Sequence, residues 1–307
     1  MARGKIKNIS LVQTADKEQS NDWEFPVRQI ELANPLDASK RTGVFGVFRT
    51  DSNEYIGQYR GEKVLPYTEI VETFENSLNS NGLQFKRSFV VTGNGARFWG
   101  RYDIGNGVTV GNEGFNRVLR LQSSHDGSLT PGFSLEMERL LCLNGMIGLA
   151  AVFAMFRKHS TNLDLGFISG NVMNAIESGT NHAVETVERM SEVKLSDGQA
   201  RNVLSNIVTM GAIRGVSPKT GLLIYNNWQN PTEDEKPLGN TLYRLYNGAT
   251  RLTRDVERAG RFEMSRKANV FVTGAFDLAV RHKQNMQKLL APTEKPLDFD
   301  GVTVSNN

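Results

Sequence analysis

Residues 83–142 read LQFKRSFVVTGNGARFWGRYDIGNGVTVGNEGFNRVLRLQSSHDGSLTPGFSLEMERLLC, and this stretch decides the fold. Apolar runs alternate with turn signals at Asn94-Gly95, Gly105-Asn106-Gly107 and Asp126-Gly127. Such pairs between apolar runs are the strongest short-range hairpin cues. The stretch predicts four strands, over about 84–92, 96–104, 108–122 and 132–142, in an antiparallel meander. Asp126-Gly127 is read as the bend between the last two.

Working outward, Gly43–Phe48 and Tyr55–Tyr59 read as a hairpin around Asp51-Ser52-Asn53. Tyr67–Leu78 reads as a helix, because Ile70, Val71, Phe74 and Leu78 form an apolar stripe. Pro66 sits just before its start and Gly82 marks its end. Downstream, Cys142–Phe156 is apolar and expected to be buried, at the start of the helical part. Leu165, Ile168, Val172, Ile176, Ala183, Val187 and Met190 predict a long helix near 163–193, with Gly170 and Gly179 as points of kinking or close packing. Ser196-Asp197-Gly198-Gln199 resembles a capping box that opens a helix to about Ile213. A loop with Trp228, Pro231 and Pro237 follows. Asn240 is expected to cap a helix to about Arg258, and a last helix spans about Arg266–Leu290.

This order is an α+β pattern: an antiparallel β-meander packed on a long helix, followed by a helical C-terminal region. The expected organisation is a flexible segment 1–22, one domain over 23–290 (meander core 83–142, helical part 143–290) and a flexible tail 291–307.

The composition is ordinary for a globular chain: 307 residues, 39% hydrophobic and 22% charged. No run reaches the roughly 18 apolar residues of a membrane span. The single cysteine, Cys142, rules out an internal disulfide and fits a reducing, cytoplasmic setting. The net charge of +3 does not announce a polyanionic partner, so any such case depends on where the charge sits.

Strand alternation supplies that location. On the second strand Phe98, Tyr102 and Ile104 share one face, and Arg97, Trp99, Arg101 and Asp103 the other. On the third, Phe115, Leu119 and Leu121 share a face with Arg117, opposite Asn116, Val118, Arg120 and Gln122. On the fourth, Phe133, Leu135 and Met137 oppose Ser134, Glu136 and Glu138. One face is expected to pack on the long helix and the other to meet solvent or a ligand. Lys86, Arg97, Arg101 and Arg120 are the candidate phosphate-binding cations of the open face, and Trp99 is the candidate stacking platform. The competing expectation pairs these arginines with Glu136 or Glu138 on a merely wet face. Arg251, Arg254 and Arg258, with Arg261, recur at helical spacing and form a second candidate stripe for a phosphate backbone. A solvated face, or a contact with an acidic neighbouring subunit, explains that stripe equally well.

Catalytic motifs are missing. The sequence has no phosphate-binding loop of the Gly-x-x-x-x-Gly-Lys-Ser/Thr kind, and Gly93, Gly95 and Gly100 do not match the dinucleotide fingerprint. His125, His159, His182 and His282 lack metal-ligand spacing. Ser124-His125-Asp126 reads as a turn, since a catalytic triad comes from separated positions. The expectation is a binding protein without cofactor or metal, not an enzyme.

Several segments, in order, resemble a phage- and plasmid-related protein family of unknown function. They are Val47–Tyr67 with Gly57 and Tyr67, the turn Ser123-Ser124-His125-Asp126-Gly127-Ser128, the strand Arg139–Asn144 ending in Cys-x-Asn, and Thr241–Thr250 with Tyr246-Asn247 and Thr250. Leu143 departs from the family pattern, which often has Asn there. The resemblance spans roughly 43–290 and implies a mobile-element, bacteriophage context. At fold level the order of helix, meander and long helix is similar to phage single-strand annealing proteins of the RecT and Red-beta type. That similarity implies an ATP-independent protein that binds single-stranded DNA and assembles with itself into rings or filaments. The alternative expectation is a structural or host-interaction (anti-defence) protein with no affinity for DNA.

Overall fold

The computed structural model describes residues 22–60, 64–110, 113–139, 146–156, 171–211, 217–258, 276, 283–294 and 296–299. The fold is mixed α+β, with two antiparallel sheets. Strands β1 (Val27–Ala33), β2 (Arg41–Arg49) and β3 (Tyr55–Tyr59) form a small sheet in the order β1-β2-β3. Helix α1 (Tyr67–Ser80) follows. A five-stranded meander then runs β4 (Phe85–Thr92), β5 (Arg97–Val110), β6 (Glu113–Ser124), β7 (Gly132–Arg139) and β8 (Met146–Phe156), in sequence order. The helices after it are α2 (Val172–Glu192), α3 (Asp197–Gly211), α4 (Pro218–Gln229), α5 (Leu242–Arg258) and α6 (Lys283–Leu290).

Local chemistry accounts for most boundaries. The β4–β5 turn places Asn94 at φ 56° and Gly95 at φ 89°, the left-handed pair a tight hairpin needs. Helix α1 buries Ile70, Val71, Phe74 and Leu78, the expected stripe. At α3 the Ser196 amide donates to Gln199 Oε1 (2.9 Å) and the Gln199 amide to Ser196 Oγ (3.2 Å), a reciprocal capping box. The cap of α5 is Thr241, whose Oγ1 accepts from the Arg244 amide, one residue beyond the expected Asn240.

Four expectations change. Gly105-Asn106-Gly107 is not a hairpin turn. β5 continues through it to Val110, and the register with β6 shifts between Ile104 and Val108. The segment is a bulge. A Cβ on Gly107 would lie 2.7 Å from the Phe115 carbonyl oxygen, so glycine permits a backbone approach that imitates a turn signal in sequence. Arg117, on the apolar face, donates from Nη2 to the Gly105 carbonyl in this bulge (3.1 Å), and burial lowers its pKa. Second, Met146–Phe156, expected in the helical part, is a fifth strand and not a helix. An unbroken apolar run carries no period that separates the two. Third, the expected loop around Trp228 contains α4, opened by Ser217, whose Oγ accepts from the Thr220 amide, with Pro218 at its first turn. Fourth, the expected loose tail is held at Leu297 and Phe299, with Ala291, Pro292, Glu294, Pro296 and Asp298 exposed. The Leu297 amide donates to Ser205 Oγ (3.0 Å), and the Phe299 ring lies 4.7 Å from that of Tyr225. Residues 1–21 and 163–170, Cys142 and Arg261 lie outside the described residues.

The apolar face of the meander forms the first core. Phe98, Tyr102, Leu119, Leu121, Phe133 and Leu135 are buried there with Ile70, Phe74 and Leu78 of α1 and Val172, Ala175 and Ile176 of α2. Phe74 contacts Tyr102 and Phe133 at ring-centroid distances of 5.1 and 5.5 Å. Each such side chain contributes about 1.5–3 kcal/mol by leaving water. The C-terminal half of α2 (Ala183, Val187, Met190) enters a second core with Phe115, Met137 and residues of α3, α4 and α5. Gly179 is buried between the two halves.

Candidate nucleic-acid interface

The opposite face of the meander carries the predicted charged residues, and register aligns them in rows. Thr92, Arg97 and Ser124 form one row; Val90, Trp99 and Gln122 the next; Ser88, Arg101, Arg120 and Ser134 the third; Lys86, Asp103, Val118 and Glu136 the fourth. The alternation of faces read from the sequence therefore holds.

The centre of this face is not open. Val118 and Gln122 are buried, and Glu136 and Glu138 are only 8% and 7% exposed. Arg101 donates to Asp103 (Nε to Oδ2, 3.0 Å) and to Glu138 (Nη2 to Oε2, 2.7 Å). Arg120 donates to Glu136 (Nε to Oε2, 2.9 Å) and stands 3.5 Å from Glu138. Burial alone would lower the Arg101 pKa, but the Glu138 and Asp103 carboxylates outweigh it and hold the guanidinium firmly protonated. Two guanidiniums against three carboxylates leave this cluster no excess positive charge for phosphates. This corrects the expectation that Arg101 and Arg120 face solvent or a ligand. Their pairing, the competing expectation, follows from Glu136 and Glu138 lying on the same face, one strand from Arg120 and two from Arg101.

The rim differs. Lys86 is exposed and Trp99 is half-buried beside the exposed Val90. Arg97 is 38% exposed; its Nε donates to Ser128 Oγ (2.9 Å) and lies 3.8 Å from Asp126. Arg97 is thus tied to the Ser123–Ser128 turn.

That turn is a structural clasp. His125 is fully buried, its ring stacked on Tyr67 and its Nε2 3.2 Å from the Leu65 carbonyl. The Tyr67 hydroxyl reaches the Gly95 and Ala96 carbonyls at 2.9 and 2.8 Å. Gly57 of β3 faces Asp126 so closely that a Cβ would lie 2.8 Å from the Asp126 Cβ. The Asp126 Oδ1 accepts from the Ser128 amide, and Gly127 has φ 70°. Gly57, Tyr67 and the turn, far apart in sequence, meet at the junction of the small sheet, α1 and the meander. His125 thus lies at the turn, as read from the sequence, but is buried under it, which that reading did not anticipate.

The second candidate stripe is interrupted. Arg251 lies in an internal ion pair, Nη1 to Glu235 Oε2 at 3.1 Å, with side-chain exposures of 11% and 1%. Its Nη2 donates to the Asn227 and Asn230 carbonyls, fastening α5 to the end of α4. This corrects its reading as a surface cation; Glu235, its buried partner, had no sequence signal. Arg254 and Arg258 lie on the same helix, and their side chains are outside the description. Tyr246, Asn247 and Thr250 of the Tyr-Asn-x-x-Thr segment are buried in the second core region, with Asn247 donating to the Tyr243 carbonyl and Thr250 to the Asn247 carbonyl.

Among the described residues no group of His, Cys, Asp and Glu is placed to hold a metal ion, and no helix is long and apolar enough to cross a membrane. No curated protein and no solved structure matches the chain. A family profile described as a domain of unknown function (DUF932) matches residues 60–291, from the end of β3 through α6. Most of the chain lies within that match, and the protein belongs to this family of unknown function.

Proposed function

We propose that the protein is a phage-encoded, ATP-independent single-strand DNA-binding and annealing protein, cytoplasmic in a bacterial host and working as a homo-oligomer. The observation that carries this reading is the β4–β5 rim: exposed Lys86, half-buried Trp99 and partly exposed Arg97 on the face turned away from α1 and α2. A strand would lie along this rim, its phosphates on Lys86 and Arg97 and a base on Trp99. The meander set against a long helix supports the comparison with annealing proteins of the RecT and Red-beta type. Oligomerisation lets a short site on each protomer add along the strand. The chemistry is binding alone, without cofactor or metal.

The pairing of Arg101 and Arg120 with carboxylates favours a second reading, a structural or host-interaction protein that does not touch DNA. Titration of a labelled oligonucleotide at two salt concentrations separates the two. The first reading expects binding at low salt that weakens as salt rises, and loss of slope in a Lys86→Gln/Arg97→Gln variant. No binding at low salt rejects it. Mass in solution with and without the oligonucleotide tests the oligomer.

A further inference from the structure

The small sheet turns an unusual face outward. On β1 the inward side holds Val27, packed on the first core, and then two polar residues: Gln29 Oε1 accepts from the Val64 amide (2.9 Å), and Glu31, at the sheet's margin, accepts from the exposed Arg41 Nε (2.9 Å) and the Gly43 amide (3.2 Å). The apolar residues Ile30 and Leu32 therefore point the other way, and Ile30 is 46% exposed. Register places Arg28, Phe48 and Tyr55 in one row across the three strands, and Ile30, Gly46 and Gln58 in the next. Tyr55 is 49% exposed and meets Phe48 edge to face, with ring centroids 5.4 Å apart. A Cβ on Gly46 would lie 2.8 Å from the Phe48 ring, so the glycine lets that ring settle onto the sheet. This sheet lies before the family match at 60–291.

We propose that this face is a second stacking platform for single-stranded nucleic acid, with a base on Tyr55 and a phosphate on Arg28. The inference rests on the reading of the protein as a DNA-binding one. Three features select a nucleic acid as the occupant. The outward row joins two aromatic rings to the exposed Arg28, the pairing that takes a base and its phosphate together. The outward positions of this row and the next hold no carboxylate, and Glu31 and Asp51 are already held by Arg41 and Arg49. Arg28 stands two strands from Tyr55, about 10 Å away at ordinary strand spacing, within reach of one nucleotide and its neighbour.

The test uses the full chain and a labelled thymidine homo-oligonucleotide. Tyr55 is half exposed, so its truncation leaves the core intact. Tyr55→Ala is expected to weaken binding roughly 5- to 100-fold with the salt slope unchanged, since stacking neutralises no phosphate. Tyr55→Phe keeps the ring and is expected to bind like the parent. Arg28→Gln is expected to lower the salt slope by about 0.7, one contact on a single strand. If the parent binds and Tyr55→Ala binds equally well, the platform is wrong while the function stands. If the parent does not bind at all, both fall. A Tyr55→Ala variant that changes the mass in solution but not the affinity per protomer overturns the platform in favour of a contact between copies.

Discussion

The imidazole of His125 lies flat on the Tyr67 ring, centroids 3.7 Å apart and planes within 10°. Tyr67 opens α1 and His125 opens the β6–β7 turn, so this stack fixes the helix to the meander. Both residues belong to segments that carry the family resemblance. Their value is architectural: they set where Arg97, Ser128 and the small sheet sit.

Burial of Tyr67 gives a first prediction. Burial raises the Tyr67 pKa well above the usual phenol range, and burial with the Glu75 carboxylate does the same for Tyr102. In the unfolded chain both ionise near pH 10. Their contribution to stability is therefore complete below about pH 10 and lost as pH rises toward the folded values. Tyr67→Phe is expected to cost about 1–2 kcal/mol at neutral pH, through the lost hydrogen bond to Ala96. Its stability should then fall less steeply than the parent's above about pH 10. Urea unfolding at neutral and alkaline pH measures this; a parent–variant difference independent of pH would refute it.

A second prediction concerns the close approach of Gly57 to Asp126. A methyl at Gly57 has no room, because its neighbour is a Cβ fixed to the turn backbone. Gly57→Ala is expected to destabilise by about 1–3 kcal/mol. A Cβ on Gly198, in the first turn of α3, would meet nothing within 4 Å, and Gly198→Ala is expected to stabilise by about 0.5 kcal/mol. Opposite signs in thermal unfolding check the pair.

These residues also mark what was legible. The turns at Asn94-Gly95 and Asp126-Gly127, the α1 stripe and the Ser196 capping box were readable because each is a local rule met by neighbouring residues. The Gly105–Gly107 bulge was misread because a glycine needed for backbone approach looks like one needed for a turn. Strand β1 goes unread because polar Gln29 sits on its inward side, bonded to the Val64 amide, while apolar Ile30 faces out. The charged face was read correctly as a face and incorrectly as open. Alternation puts Arg101 and Arg120 on the same side as Glu136 and Glu138, which is why their pairing was the competing expectation, but it does not choose between that pairing and an open face. Arg251 failed because its partner Glu235 lies outside the helix that displays it.

The Arg101–Glu138 pair yields a third prediction. Arg101 is 28% exposed and Glu138 9%, so water screens the pair in part. Arg101→Gln is expected to cost about 1.5–3 kcal/mol, chiefly through the desolvated carboxylates left behind. Arg101→Gln/Glu138→Gln should cost less than the sum of the single changes, with a coupling of about 0.5–3 kcal/mol. Denaturant titration of the four proteins closes the cycle. Additive losses would show that the pair is not a unit.

The Glu235–Arg251 pair should be stronger, because both side chains are almost out of water. Arg251 also satisfies the Asn227 and Asn230 carbonyls, so two contacts join α5 to the end of α4 and the pair with Glu235 ties it to the segment between them. Glu235→Ala leaves a buried guanidinium without its counter-charge and is expected to cost about 3–5 kcal/mol. Arg251→Met removes the charge together with two carbonyl contacts and leaves Glu235 with the Thr232 amide but no counter-charge. Glu235→Leu/Arg251→Met removes both charges and should recover much of the loss, since an apolar pair suffers no desolvation penalty. If the stripe Arg251, Arg254 and Arg258 were instead a phosphate surface, Arg251→Met would weaken oligonucleotide binding at full folding stability. Measuring thermal midpoint and oligonucleotide affinity on the same variant decides between the two, and the internal geometry of Arg251 predicts that only the midpoint moves.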